Sequence, residues 1–340
     1  MRWPVVLLGV AGCYAPDPAP GAPCGERGLC PTPLVCAVDG RCERTAGAVD
    51  AAPGTTDGTT DGPVPLVDAA PGASCWAAWR SGAPVLSAPA KVTELSTADA
   101  EGDPALSADA LTLYFARGPA GNADLFQASR PDRSSPFGTA TAMADLNSPQ
   151  DDTKASLSGD GLTAIVASKR QVILAGSTLF QATRATTGAA FGTPMVLGNG
   201  FGLSAAFDPE LSADGLVLYY STVPLAGTQA IMRTSRAGPG GTFGTGATVA
   251  ISGATGAVAD PTVSPDERVL VFTSNVPTND LFLATRASPQ LGFALVGPLS
   301  VNSSSALDGD ASLTRDGCEL FFMSDRAGNR DLYRAIVTPQ

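Results

Sequence analysis

The sequence contains no histidine among its 340 residues. This absence excludes Ser-His-Asp and Cys-His mechanisms, histidine-ligated zinc and a histidine-based pH switch. Catalysis would have to rely on carboxylates, hydroxyls, lysine or a metal ion with oxygen ligands. No arrangement of such groups in the sequence indicates an active site. We therefore expect a binding protein rather than an enzyme, without a cofactor and without a metal site.

Basic residues are also scarce, since 21 Lys and Arg stand against 32 Asp and Glu and the formal net charge is −11. Lysine occurs only at positions 91, 154 and 169. Binding to nucleic acid requires clustered Lys and Arg that neutralise phosphates, and the sequence has no such cluster. We therefore exclude nucleic acid as a partner. The 38 Gly and 28 Pro residues are typical of a turn-rich all-β protein.

The N-terminal segment has the features of a secretory signal peptide over residues 1–12. It combines one early positive charge, a short apolar run and small residues before Cys13. The run is too short to span a bilayer. Val10-Ala11-Gly12-Cys13 resembles the bacterial lipobox, which implies lipidation of Cys13 and anchoring to the membrane of the cell envelope, with residues 13–23 as a lipidated tether. Tyr14 after this cysteine favours the outer membrane by the sorting rule of that family. The alternative is an ordinary signal peptide with a chance cysteine.

The cysteines other than Cys13 are six, the even number expected in an oxidising compartment. Four of them, evenly spaced, predict a small disulfide module over residues 24–44 with two bridges of unassigned connectivity: Cys24, Cys30, Cys36 and Cys42. A zinc site is the alternative, although the close Cys-x-x-Cys pairs of such sites are absent. We expect Cys75 and Cys318 to form a third bridge, with two free buried thiols as the alternative.

Residues 45–74 consist almost entirely of Ala, Gly, Pro, Thr and Asp, with a few Val. No hydrophobic period of a helix or a strand is present, so the segment cannot bury enough apolar surface to offset its ordering entropy. We interpret it as a flexible linker.

Residues 75–340 contain five copies of a unit of about 50 residues. The copies follow a common pattern: a turn of the form Leu-Ser-x-Asp-Gly, an apolar and aromatic strand, and a second strand of the form Asp-Leu-Phe-x-Ala-x-Arg. Ala110 and Glu267 replace the glycine in two copies, and Val337 replaces the arginine in the last. We expect the turn aspartates to be structural, because they can accept backbone N–H bonds in a tight hairpin: Asp109, Asp160, Asp214, Asp266 and Asp316. Four short strands per unit predict an all-β protein, a β-propeller.

The pattern resembles the WD-like β-propeller repeats of the TolB family, and residues 310–337 form the clearest copy. Members of that family usually have six blades. Five copies predict five four-stranded blades, with six as the alternative, and residues 90–96 are expected to supply the first strand of the first blade. The resemblance implies a module that recruits a protein or peptide partner.

One position in each repeat, six residues before the turn aspartate, carries a charged side chain. These residues are Asp103, Lys154, Asp208, Asp260 and Asp310. Equivalent positions of a propeller recur around its axis, so four carboxylates and one ammonium can form a ring that binds a cation, a basic partner or a sugar. The alternative is that each aspartate caps the backbone of its own blade.

These observations favour a lipid-anchored envelope protein whose propeller binds a protein or peptide. The alternatives are a propeller that binds a glycan and a five-bladed glycoside hydrolase that uses carboxylates of the central channel.

Overall fold

The structure, a computed structural model, describes residues 34–36, 42–44, 74–119, 121–171, 176–198, 205–223, 228–276 and 278–338. The chain divides into two units, Met1–Val64 and Pro65–Gln340. In the first unit, Leu34–Cys36 and Cys42–Arg44 pair as antiparallel strands. The signal peptide, the lipidation of Cys13, the bridges of the cysteine-rich module and the linker lie outside the described residues.

The second unit consists of five antiparallel sheets of at least four strands, which we call blades 1 to 5 in chain order. The innermost strands of neighbouring blades contact each other around a closed ring, in which blade 5 meets blade 1. The prediction of an all-β propeller with five four-stranded blades is confirmed.

From the innermost strand outward, the bounds are, for blade 1, Ala100–Leu106, Thr112–Gly118, Asp124–Ser129 and Thr141–Ala142; for blade 2, Asp152–Leu157, Thr163–Ser168, Thr178–Thr183 and Met195–Val196; for blade 3, Ala205–Leu211, Val217–Val223, Ala230–Ser235 and Ala247–Thr248; for blade 4, Val258–Val263, Val269–Ser274, Asp280–Thr285 and Phe293–Pro298; and for blade 5, Asp308–Leu313, Glu319–Ser324, Asp331–Ile336 and Ala90–Lys91.

Three short elements complete the described part of the second unit. Ile251–Ser252 adds a parallel strand outside Phe293–Pro298, Trp76–Arg80 is an α-helix, and Thr93–Leu95 is a 3₁₀ turn. Over the part of the chain that the structure describes, no helix has the length and apolar character needed to cross a membrane.

The hydrophobic core is divided among the five junctions between neighbouring blades. Tyr114 and Leu125 of blade 1, for example, cluster with Val166 of blade 2. Each of the other four junctions has a cluster of the same kind, including the junction between blades 5 and 1. Because a single blade cannot cover both of its faces, this burial requires the blades to stack around one axis.

The outermost strand of blade 5 comes from the chain before blade 1. Lys91 pairs with Tyr333 and Ala90 with Arg334, and Leu86 forms an isolated bridge with Val337. The prediction that residues 90–96 supply the first strand of blade 1 is therefore wrong. The outer edge of blade 5 presents unpaired backbone N–H and C=O groups, and pairing with this segment satisfies them.

The hairpin turns between the first and second strands are built alike in all five blades. In blade 1, the Ser107 hydroxyl donates to Asp109 at 2.6 Å, and Asp109 accepts the backbone N–H of Leu111 at 3.0 Å. The other four turn aspartates make the same pair of bonds. We call the side of the propeller that carries these turns the turn face.

The fixed distance of seven residues between a repeated arginine and a phenylalanine also has a structural basis. The guanidinium of Arg286 lies 4.2 Å from the ring centre of Phe293, and its Nε donates to the turn carbonyl of Glu267. Blades 1 to 3 repeat both contacts. The arginine thus joins the turn of each of these blades to its outer segment.

The N-terminal helix fastens the chain to the turn face of blade 5. The indole N–H groups of Trp76 and Trp79 donate to the carbonyls of Arg315 and Gly317 at 2.9 and 2.8 Å. A disulfide joins Cys75, directly before this helix, to Cys318.

Replacing both Cys75 and Cys318 by alanine is expected to lower the free energy of unfolding by up to about 5 kcal/mol, because the bridge closes a loop of 243 residues in the unfolded chain. Urea unfolding of the full chain measures this loss. The double variant is preferable to a reductant, which would also act on the other cysteines. A free energy of unfolding within about 0.5 kcal/mol of the parent protein would contradict the expectation.

Candidate binding site in the central cavity

The innermost strands share an irregularity at the same position of all five blades. Their register with the second strand shifts at Asp103, Lys154, Asp208, Asp260 and Asp310. The four aspartates have left-handed φ angles of 53°, 50°, 51° and 54°, a conformation that Asp adopts more readily than most residues. A β-bulge redirects a side chain, and here it does so once in each blade.

A cavity of about 370 Å³ opens where the innermost strands begin, on the side opposite the turn face, and we call this side the cavity face. All four ring aspartates line the cavity. Hairpin loops between the second and third strands contribute Ser177, Gln229, Asn275, Asn279 and Arg330 to the wall. The ring residues predicted from the repeats therefore lie around one cavity, with the exception of Lys154.

Lys154 is completely buried beside the ring and does not line the cavity. Within the described part of the chain, its Nζ has no hydrogen-bond partner. Burial alone would lower the pKa of Lys154, but the carboxylates of Glu210, Asp103 and Asp208 outweigh that effect and hold the pKa above its ordinary value. Lys154 is thus a permanent internal counter-ion.

The carboxylates around the cavity outnumber this cation, and the pKa values of three of them are raised. Burial, reinforced by Asp260 and opposed by Lys154, raises the pKa of Asp103 to about 6. Burial and the neighbouring carboxylates also raise the pKa values of Asp208 and Asp310 well above their ordinary range. Asp103, Asp208 and Asp310 therefore hold protons more tightly than exposed aspartates do.

Two oxygen atoms of the cavity wall have no hydrogen-bond partner in the described structure, Asp208 Oδ2 and Thr273 Oγ1. The two residues are only 6% and 8% exposed. A buried polar atom without a partner costs about 1–3 kcal/mol. The wall therefore keeps free hydrogen-bonding capacity that a ligand can use.

Backbone capping accounts for only one of the four ring carboxylates. Asp310 Oδ2 accepts the backbone N–H of Asp103 at 3.4 Å, which joins blade 5 to blade 1 rather than capping its own blade. Among the described residues, no backbone amide donates to the carboxylates of Asp103, Asp208 or Asp260. Across the same residues, no three acidic or cysteine side chains are close enough to bind a metal ion.

Sequence reasoning missed three residues near the ring. Glu210 is half-buried, and loss of hydration raises its pKa to about 7 against the opposing effect of Lys154. Thr273 lies in a buried strand, and Gly309 leaves a gap in the wall beside it. The only signal was that the position two residues after the ring is polar in four of the five blades: Ser156, Glu210, Thr262 and Ser312.

No model of a known protein family matches the chain, and no curated protein matches it. Its fold is similar to that of a thermostable family-43 glycoside hydrolase, with a TM-score of 0.50 and 13% identity over 73% of this chain and 92% of that one. TolB from Acinetobacter baumannii is similar with a TM-score of 0.46 and 15% identity over 72% of this chain. The match spans 56% of that protein. A gluconolactonase from Xanthomonas campestris is similar with a TM-score of 0.47 and 12% identity over 78% of this chain and 93% of that one. The protein is a five-bladed β-propeller with an acidic central cavity, and its likeness to these structures concerns the fold alone.

Replacing Lys154 by methionine is expected to lower the free energy of unfolding by about 3–5 kcal/mol, because it removes one partner of a buried ionic cluster. Urea unfolding at neutral pH measures the loss. The control is Lys169→Met, which removes an ion pair with Asp151 from a lysine side chain that is 47% exposed and should cost less than about 1 kcal/mol. Equal losses in the two variants would argue against the counter-ion role.

The contribution of Asp103 to stability should fall as the pH rises from about 4 to about 6, because the folded protein binds the proton of Asp103 more tightly than the unfolded chain does. Asp103→Asn removes this contribution and suits the left-handed φ. The stability of this variant relative to the parent should therefore increase over the same pH range. Urea unfolding at a series of pH values measures the difference. Asp99→Asn, at an exposed site, should show no such trend.

Proposed function

We propose that this protein is a binding module that takes a segment of a protein or peptide partner into its central cavity. The observation that carries the proposal is the cavity itself, which combines a surplus of carboxylates with buried hydrogen-bonding atoms that lack partners in the described structure. Such a wall is arranged for a ligand that brings positive charge and hydrogen-bond donors.

The composition of the wall suits a polypeptide. Side-chain amides of Gln229, Asn275 and Asn279 can bond a peptide backbone, while Phe207 and Met323 offer apolar surface. A volume of about 370 Å³ accommodates one or two residues rather than a folded domain. A partner would therefore insert a short segment or a chain end.

The lipobox-like sequence before Cys13 adds a location to this proposal. A lipid anchor at that cysteine would place the propeller at the bacterial cell envelope, with the outer membrane favoured by Tyr14.

A glycoside hydrolase is the second candidate, and one observation favours it. The pKa of Asp103 is raised to about 6 and that of Glu210 to about 7, so either group could carry a proton as a general acid near neutral pH. Glu210, however, does not line the cavity and accepts a hydrogen bond from Thr262. The binding role therefore ranks first.

The proposal predicts that random peptides displayed on phage and selected on the immobilised full chain will include binders that depend on the cavity. Their affinity for Asp208→Asn and Asp260→Asn should fall by about tenfold or more, because each substitution removes a partly buried charge. Asp99→Asn is the matched control with the same change of net charge and should retain the affinity.

Selected peptides that bind the parent and both ring variants equally would show that the cavity is not the binding site. Hydrolysis of aryl glycosides that Asp103→Asn abolishes would instead place the hydrolase first.

A further inference from the structure

We infer that the group bound in the central cavity is an alkylammonium, such as a lysine side chain of the partner, held by Asp208, Asp260 and Thr273. The inference rests on the proposed function, because it names the ligand chemistry of the same cavity. Three features of the wall carry it: the position of the unbalanced charge, the position of the free acceptor atoms, and the apolar surface beside them.

The unbalanced negative charge lies on blades 3, 4 and 5. Three consecutive blades present Asp208, Asp260 and Asp310 to the cavity. Of the cations nearby, Lys154 acts on Asp103, Asp208 and Asp310 alike, whereas Arg330 acts on Asp103 and is not among the principal influences on Asp208 or Asp310. Most of the wall also comes from blades 4 and 5. The missing positive charge therefore belongs beside the aspartates of blades 3 to 5.

The gap that Gly309 leaves in the wall is bordered by one free acceptor atom, Thr273 Oγ1, and by a carboxylate oxygen of Asp260. A Cβ atom at Gly309 would lie 3.3 Å from Thr273 Oγ1 and 3.7 Å from Asp260 Oδ2. Thr273 Oγ1 has no hydrogen-bond partner in the described structure, and neither has Asp208 Oδ2. A group that fills this gap can thus reach Thr273 Oγ1, which nothing else in the described structure satisfies. An ammonium, with three N–H donors and no acceptor, matches a wall that offers acceptors.

The same gap has an apolar side. A Cβ atom at Gly309 would also lie 3.7 Å from Cε of Met323, and Phe207 and Leu307 belong to the wall. Lysine places its charged head among polar atoms while its methylene stem contacts apolar surface. The wall fits both parts of such a side chain.

Two other cations fit less well. Calcium takes six to eight oxygen ligands at about 2.3–2.6 Å, and no three carboxylates among the described residues are close enough for a metal ion. A guanidinium is planar and pairs best with one carboxylate through two parallel bonds. Here the acceptors come from blades 3 and 4 and combine carboxylates with a hydroxyl, which suits the compact, rotatable ammonium.

A bound cation favours the ionised carboxylates, so binding should release protons from the ring. The pKa values of Asp103, Asp208 and Asp310 are raised by burial and by neighbouring carboxylates. Affinity should therefore rise from about pH 5 to about pH 7.5. The charged groups that face the ring from the adjoining strands and loops are Asp151, Lys154, Glu210, Asp260, Asp308 and Arg330.

The test is calorimetric titration of the full chain with Nα-acetyl-lysine N-methylamide and with its uncharged counterpart, Nα-acetyl-norleucine N-methylamide. The lysine compound should bind about tenfold or more tightly, and more tightly at about pH 7.5 than at about pH 5. Asp208→Asn and Thr273→Val should each weaken this binding by about tenfold. Thr273→Val preserves shape and net charge, and Asp99→Asn is the charge-matched control that should change nothing. Urea unfolding verifies that each variant is folded.

Glycine N-methylamide and Nα-acetyl-arginine N-methylamide distinguish the sources of the cation. Tighter binding of the glycine compound would support the alkylammonium and assign it to a chain amino terminus. Tighter binding of the arginine compound, equal binding of norleucine, or binding of none of the four compounds would overturn the inference.

The peptide-binding role and the alkylammonium ligand can be rejected independently of each other. Cavity-dependent peptides that need neither lysine nor a free amino terminus would overturn the alkylammonium and leave the binding module standing. Binding of the lysine compound that Asp208→Asn weakens, without any cavity-dependent peptide, would support the alkylammonium and reject the peptide partner.

Discussion

The pairing of Ala90–Lys91 with Tyr333 and Arg334 converts a row of five blades into a ring. The same junction holds the largest ionic cluster in the described structure, in which the buried Glu319 pairs with Arg130, Arg133 and Arg334. Closure also brings Asp310 of the last blade within hydrogen-bonding distance of Asp103 of the first. A ring of carboxylates can exist only if this junction is closed, so the candidate site depends on backbone pairing far from its own side chains.

Closing the ring creates an electrostatic problem that the protein solves only in part. Symmetry of the repeats would place five aspartates around one axis, where like charges repel in a partly dehydrated environment. Lys154 replaces one of them and neutralises part of the negative charge. Raised pKa values favour protonation of the aspartates, which removes a further part of it. The remaining imbalance, together with the unpartnered Thr273 hydroxyl, distinguishes this cavity from a merely structural channel.

The repeats made most of the propeller predictable, because residues with the same role recur at nearly constant distances. The seven residues between Arg286 and Phe293, for example, reflect a contact that each of four blades must make. The ring positions followed from the same regularity. The pairing of Ala90–Lys91 with blade 5 could not be predicted in this way, because strand pairing across more than 240 residues leaves no local pattern in the sequence. Thr273 and Gly309 were also hidden, because their importance comes from a gap that only the folded wall defines.

The helix and disulfide at the turn face determine how the propeller responds to mechanical force. The chain reaches blade 5 at Cys75, on the side opposite the cavity, and is covalently joined there to Cys318 of the last repeat. Tension applied through the preceding segment therefore passes directly into blade 5. The closing strand Ala90–Lys91, only two residues long, lies beyond that point in the chain, so tension between the preceding segment and blade 5 bypasses it. A pull that would otherwise peel this strand away, and open the ring, is borne by a covalent bond.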